Sequence, residues 1–149
     1  MLALAAAGAA DGLWLRADRQ TAGKGRMGRD WQSPVGNFYG STLVRLRSGD
    51  PQAATLALVA AIALHDAFRF LAPDVDFRIK WPNDIYFEGR KLAGILCERI
   101  HGERQSMIIG IGVNVNAREF PPEIAATATS LAQVCAEEQN IRTLWIRIC

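Results

Sequence analysis

Three short segments hold most of the side chains that could do chemistry. In the first, residues 16–30, Arg16, Arg19, Lys24, Arg26 and Arg29 face only two carboxylates, Asp18 and Asp30. Its centre, Gly23-Lys24-Gly25-Arg26-Met27-Gly28, alternates glycine with cations. Such a chain can wrap a phosphate or carboxylate with backbone N–H groups and guanidinium forks together. The plainer reading is a solvated basic loop. The literal G-x-G-x-x-G would bind a dinucleotide only between a strand and a helix. Asp30-Trp31-Gln32-Ser33-Pro34 is a poor helix and no βαβ unit surrounds it. It is not a P-loop either, because no Gly-Lys-Ser/Thr follows.

The second segment is Lys80-Trp81-Pro82-Asn83-Asp84, followed by Arg90-Lys91-Leu92-Ala93-Gly94. Pro82 fixes its own φ and extends Trp81, which makes a rigid corner. Asn83 and Asp84 at that corner could hold a hydrated Mg²⁺, or form an Asx turn in which both bond only the backbone. Lys91 is a surface charge or an electrophilic clamp on the same rim. The third segment is Gly110-Ile111-Gly112-Val113-Asn114-Val115-Asn116. Glycines inside an apolar strand let a ligand or another backbone approach closely. Asn114 offers the donor and acceptor that an adenine edge or a ribose needs.

These segments must be held by a scaffold, and the periodicity outlines one. Met1 to Ala10 reads as an alanine-rich helix stopped at Gly8. Leu13 to Ala17 and Phe38 to Leu46 read as strands. Asp50-Pro51 supplies an N-cap and first-turn proline for a helix reaching Leu71, with Pro73 as its stop. From Val75 the period becomes two: Val75, Phe77 and Ile79 alternate with Asp76, Arg78 and Lys80. Ile85 to Phe87, Lys91 to Ile100 and Ser106 to Asn116 continue as strands, with turns at Glu88-Gly89 and His101-Gly102, giving an antiparallel meander. Pro121-Pro122 opens a final helical segment. The fold class is α+β, a mostly antiparallel sheet with helices on one face.

Composition narrows the functional classes. The chain has 149 residues, half of them apolar and 21% charged, as in one globular domain. A net charge of +2 is too small for bulk attraction to nucleic acid or membrane. No apolar run approaches the roughly 20 residues of a bilayer span. Cys97, Cys135 and Cys149 are odd in number and, with His65 and His101, fit no zinc spacing. A reduced, cytoplasmic domain is expected.

Taken in order, Gln20 to Trp31, Lys80 to Asp84, Arg90 to Leu96 and Gly110 to Asn114 resemble the catalytic domain of the biotin protein ligases, the biotin–[acetyl-CoA-carboxylase] ligase family. The resemblance runs from about residue 11 to 131. It implies a single, partial biotin/lipoate-ligase-like domain over residues 1–149, without helix-turn-helix or SH3-like domains. The family's Ser-Thr-containing segment, which gives hydroxyl contacts to biotin, has no counterpart ahead of the first helix.

The implied reaction has two halves. Biotin attacks the α-phosphate of ATP to give biotinyl-5′-adenylate and pyrophosphate, and a lysine of a biotin carboxyl carrier protein then takes the acyl group. The resemblance implies biotin contacts from Gln20, Lys24, Gly25, Arg26, Lys91, Gly94 and Gly110. It implies ATP or adenylate contacts from Arg26, Arg29, Trp31, Lys80, Asn83, Asp84, Gly112 and Asn114. Arg26 and Lys91 are the expected catalytic cations, with Asn83 and Asp84 near Mg²⁺. Expected partners are biotin, ATP and the carrier protein, with a meander strand offering a homodimer edge. The alternatives are a non-catalytic binding module of this fold and, on the same scaffold, a ligase for lipoate or another acyl acid.

Overall fold

A computed structural model describes residues 1–50, 52–100 and 106–148. Among these, six strands form one antiparallel sheet in the order β1-β2-β6-β5-β4-β3. They are β1 (Trp14–Ala17), β2 (Phe38–Arg45), β3 (Arg78–Lys80), β4 (Asp84–Phe87), β5 (Arg90–Ile100) and β6 (Ser106–Val113). The last four form the meander that period-two patterning implies. The helices are α1 (Leu2–Ala6), α2 (Leu56–Leu71), α3 (Pro122–Ala125), α4 (Leu131–Val134) and α5 (Ile141–Ile148).

Register divides the two faces of the sheet. Side chains directly paired across antiparallel strands share a face. Ile95↔Ile111 and Ala93↔Val113 lie on one face, and Gly94↔Gly112 and Leu96↔Gly110 on the other. The first set, with Phe38 from β2, joins the core with Ala61, Leu64, Ala67 and Phe68 of α2 and Leu144 of α5. Trp145 of α5 closes this layer, its ring 5.7 Å from Trp14 and 5.8 Å from Phe38. The glycine-bearing face is left for the site.

Several expected boundaries move. The long helix starts at Leu56 after a 3₁₀ turn at Ala53–Thr55, with Thr55 at its N-cap. Asp50 instead accepts a bond from the backbone N–H of Arg47, a local turn that competes with capping. The residue at 51 and the expected His101-Gly102 turn lie outside the described residues. Only Arg78–Lys80 of the alternating run is strand. Phe77 is buried, but its N–H bonds Val75 O within a turn, so here alternation reports burial without pairing. β6 ends at Val113, and the final helical segment is three short helices. Residues 53–71 are, by length and apolarity alone, long enough to cross a membrane, contrary to the sequence expectation. That stretch is a core helix here, its inner side against the sheet and Val59, Ile62 and Phe70 exposed.

Candidate active site

The glycine-bearing face of β5 and β6 floors a cleft of about 920 Å³, within the size range of small-molecule sites. Gly112 and Gly94 are required there by close approach. A Cβ on Gly112 would lie 2.7 Å from Cε2 and Nε1 of Trp31, and one on Gly94 3.3 Å from its Cζ3. The indole therefore lies directly on the paired glycines. Gly110 is different: nothing comes nearer than 3.6 Å to a Cβ built there, so its part of the floor stays open.

Trp31 arrives on a hairpin formed by the basic segment. Lys24 bridges Asp30, Gly25 N–H donates to Arg29 O at 2.7 Å, and Trp31 N–H donates to Gly23 O at 2.9 Å. The tip turns through left-handed Met27 and Gly28, φ 59° and 72°. Glycine accepts that geometry freely and methionine does not. No helix follows the motif, so the glycine pattern serves a hairpin and not a dinucleotide turn. Gln20 lies at its base, its Oε1 accepting from Ser33 Oγ at 2.8 Å.

Opposite the hairpin stands the β3–β4 corner, where the Trp81–Pro82 peptide is cis. Asp84 pairs with Gly94 across β4 and β5, which brings its carboxylate to the cleft. Its Oδ1 is 2.7 Å from Lys91 Nζ. That oxygen is buried and makes no aligned hydrogen bond among the described residues, so the contact is an ion pair. Lys91 Nζ also lies 5.3 Å from the Trp31 ring centroid, within cation–π range. Asn83 is buried and makes no Asx turn: its Nδ2 donates to Ile95 O and its Oδ1 accepts from Arg26 Nη1. Among the described residues, the buried N–H of Trp31 Nε1 has no partner.

The cleft lining brings together Gln20, Lys24, Gly25, Arg26, Arg29 and Trp31 from the hairpin side with Asn83, Asp84, Lys91, Gly94, Gly110, Gly112 and Asn114 from the sheet side. Lys80 is not among the lining residues. It is exposed, with Nζ 4.7 Å from the Tyr86 ring centroid.

Two supports escape the sequence reading. Asn37 Oδ1 accepts from the backbone N–H groups of Val115, Asn116 and Ala117 at 2.8, 3.1 and 3.2 Å. This clamps the turn after Asn114, whose own Nδ2 donates to Thr129 O. The second support pairs Lys91 with residues 127–129: Lys91 N–H donates to Thr127 O at 2.7 Å and Thr129 N–H to Lys91 O at 2.9 Å. An asparagine just before an aromatic strand was the available signal for the first. The second had none, because a lone parallel bridge leaves no periodicity.

Residues 8–116 match the model of the biotin/lipoate A/B protein ligase family. The chain belongs to that family.

Among family relatives, a biotin–[acetyl-CoA-carboxylase] ligase of Paracoccus denitrificans is 43% identical over 113 residues, 74% of this chain and 47% of that one. The bifunctional ligase/repressor BirA of Bacillus subtilis is 43% identical over 136 residues, 87% of this chain and 41% of that one. In three dimensions the chain resembles a biotin protein ligase of Aquifex aeolicus in complex with biotin and ATP. That match has a TM-score of 0.84 at 35% identity and covers 93% of this chain and 58% of that one. The chain thus spans about half the length of these curated relatives.

Proposed function

We propose that this family member activates biotin with ATP, forming biotinyl-5′-adenylate and pyrophosphate, and passes the acyl group to a lysine of a biotin carboxyl carrier protein. The observation that carries this reading is the convergence of Arg26 and Lys91 on a glycine floor in a chain whose relatives include biotin ligases. The first step joins two anions. A carboxylate oxygen of biotin attacks the α-phosphorus while the bond to the β-phosphate breaks and pyrophosphate leaves with the electron pair. Fixed positive charge must offset the repulsion and stabilise the phosphoryl oxygens.

In this reading Lys91 bridges the biotin carboxylate and the α-phosphate, its ammonium held over the floor by Asp84. Arg26 contacts the phosphate with a guanidinium suited to two-point binding. Gln20, Lys24 and Gly25 line the biotin end with the open floor at Gly110, and Gly94 carries the lysine stem. Trp31 covers the adenylate beside Gly112, Arg29 adds charge at the hairpin, and Asn114 faces the adenine. The unpartnered Trp31 N–H is a donor that an incoming ligand oxygen would satisfy. In the second step the acceptor amine attacks the acyl carbon, a C–N bond forms and AMP departs. The hairpin would shield the anhydride from water until then. Catalysis is positioning and electrostatics, with no protein nucleophile.

Mg²⁺ accompanies ATP in this chemistry, but the corner does not fit a protein-held ion. Both ends of the Asn83 amide are engaged, and Asp84 Oδ1 faces an ammonium. Among the described residues no cluster of three or more His, Cys, Asp or Glu side chains could hold a metal. The reading places the protein in a reducing cytoplasm, which suits the unpaired thiols of Cys97 and Cys135. The outer strand of the meander, β3, is the edge that this reading offers to a homodimer.

The test is pyrophosphate release by the purified chain with biotin, ATP and Mg²⁺ against a control without biotin. Biotin-dependent release is expected, together with about a hundredfold or greater loss in Lys91→Ala, the scale of removing one charge-stabilising donor. Lys24→Ala, at an exposed position, should cost much less. Release independent of biotin, or equal mild effects of both variants, would overturn the assignment. A folded chain that binds biotin or ATP without release would be a binding module.

A further inference from the structure

We infer that Asn83 is a positioning residue for Arg26 and not a ligand of a metal ion. Its carboxamide is used at both ends: Nδ2 donates to Ile95 O at 2.7 Å, and Oδ1 accepts from Arg26 Nη1 at 3.1 Å. The Asn83 backbone is tied to the same strand residue, because Ile95 N–H donates to Asn83 O at 2.9 Å. Two attachments to β5 fix the side chain of a residue only 7% exposed, and they aim Oδ1 at the hairpin.

The charges around the corner agree with this role. A cation bound at Asn83 Oδ1 would share one neutral oxygen with a guanidinium whose nitrogen is 3.1 Å from it, in a cleft also lined by Lys91. Like charges at such separations repel strongly in a partly buried site. Mg²⁺ also prefers carboxylates and near-octahedral geometry, and Asn83 supplies neither. Arg26, by contrast, spends one of its five N–H donors on Asn83 and keeps the rest. The guanidinium is pre-aimed without being consumed. Only the identity of the anion it serves rests on the ligase reading.

The hairpin itself reports on this latch. Its tip is exposed, Met27 at 87%, while the N–H groups of Gly25 and Trp31 are hydrogen-bonded within it. Amide hydrogen exchange of the full chain, without biotin, nucleotide or metal, should show these two amides exchanging about tenfold faster in Arg26→Ala and in Asn83→Ala, the effect of losing one charge-assisted hydrogen bond. The double variant should exchange no faster than the faster single one, since both remove the same bond. Unchanged exchange in Arg26→Ala, or single effects that multiply in the double variant, would overturn the proposal. Arg26→Ala leaves the Asn83–Ile95 contacts intact and decides the matter if Asn83→Ala does not fold.

Mn²⁺ alone serves as the metal probe. The ligand-free chain should show no stoichiometric Mn²⁺ site, and a one-to-one site lost in Asn83→Ala would refute the assignment. Neither measurement uses biotin or ATP. Failure of the ligase reading appears separately, as pyrophosphate release that does not depend on biotin.

Discussion

Replacing Gly112 by alanine tests the glycine floor most directly. The added Cβ would stand 2.7 Å from Trp31 Cε2 and Nε1 and 2.9 Å from Cζ2. Carbon atoms in contact prefer about 3.5–4.0 Å, so the overlap is roughly 1 Å against a rigid ring. Sliding toward β5, the indole would meet the Lys91 stem, which lies over Gly94 beside the ring. It must lift away from the floor, and overpacking of this kind costs about 1–3 kcal/mol. In a domain of this size, where 1 kcal/mol moves Tm by about 2–4 °C, the expected loss is roughly 2–12 °C. Thermal unfolding should be followed for Gly112→Ala, for Trp31→Ala and for the double variant. With the indole gone, Gly112→Ala should be neutral or slightly stabilising, since alanine loses less backbone entropy than glycine in a strand. An equal Tm loss from Gly112→Ala in both backgrounds would refute the argument that the glycine exists to seat Trp31.

Two further outcomes follow from other parts of the structure. Asn37→Ala leaves the N–H groups of Val115, Asn116 and Ala117 without their acceptor; it should cost about 3 kcal/mol in chemical denaturation, while Asn37→Asp, which keeps an oxygen there, should cost clearly less. A loss below about 1 kcal/mol in the alanine variant would mean the clamp is incidental. Burial pushes the Cys97 thiol from its ordinary 9.0 up to about 11. Between those values the unfolded chain gives up a proton that the native one keeps, so this group makes stability fall as pH rises from 9 toward 11. Denaturation midpoints across that range should decline less in Cys97→Ala than in the parent chain; an identical decline would remove Cys97 as a contributor.

The strands were legible because burial on one face writes an alternating pattern, and the meander because its turns are short. That logic misled at Val75 to Phe77, where Phe77 is buried through a turn that forms no ladder. It also misled at Asp50, whose carboxylate found the Arg47 N–H before it could cap a helix. At the site, residue type was a good guide to what gathers in the cleft, Lys80 excepted. It was a poor guide to what each group does there. Asn83 and Asp84 sit side by side and suggest a metal pair, yet one bonds a guanidinium and the other an ammonium. Those partners come from segments 57 and 7 positions away in sequence, and only the folded sheet makes them neighbours. Asn37 was overlooked for the same reason, since its three donors lie 78 to 80 positions downstream.

The two faces of β5 and β6 make this domain unusually intolerant of one kind of genetic change. Gly94, Leu96, Gly110 and Gly112 alternate with Ile95, Ile109 and Ile111 along the same two strands. Inserting or deleting a single residue within either strand would exchange the sets. Isoleucine side chains would then fill the cleft, and glycines would face α2, where they can bury nothing. One position added or removed within the ladder would therefore fill the cleft and unpack the core together. In this fold, the number of residues along β5 and β6 decides which side chains face the cleft as firmly as their identities do.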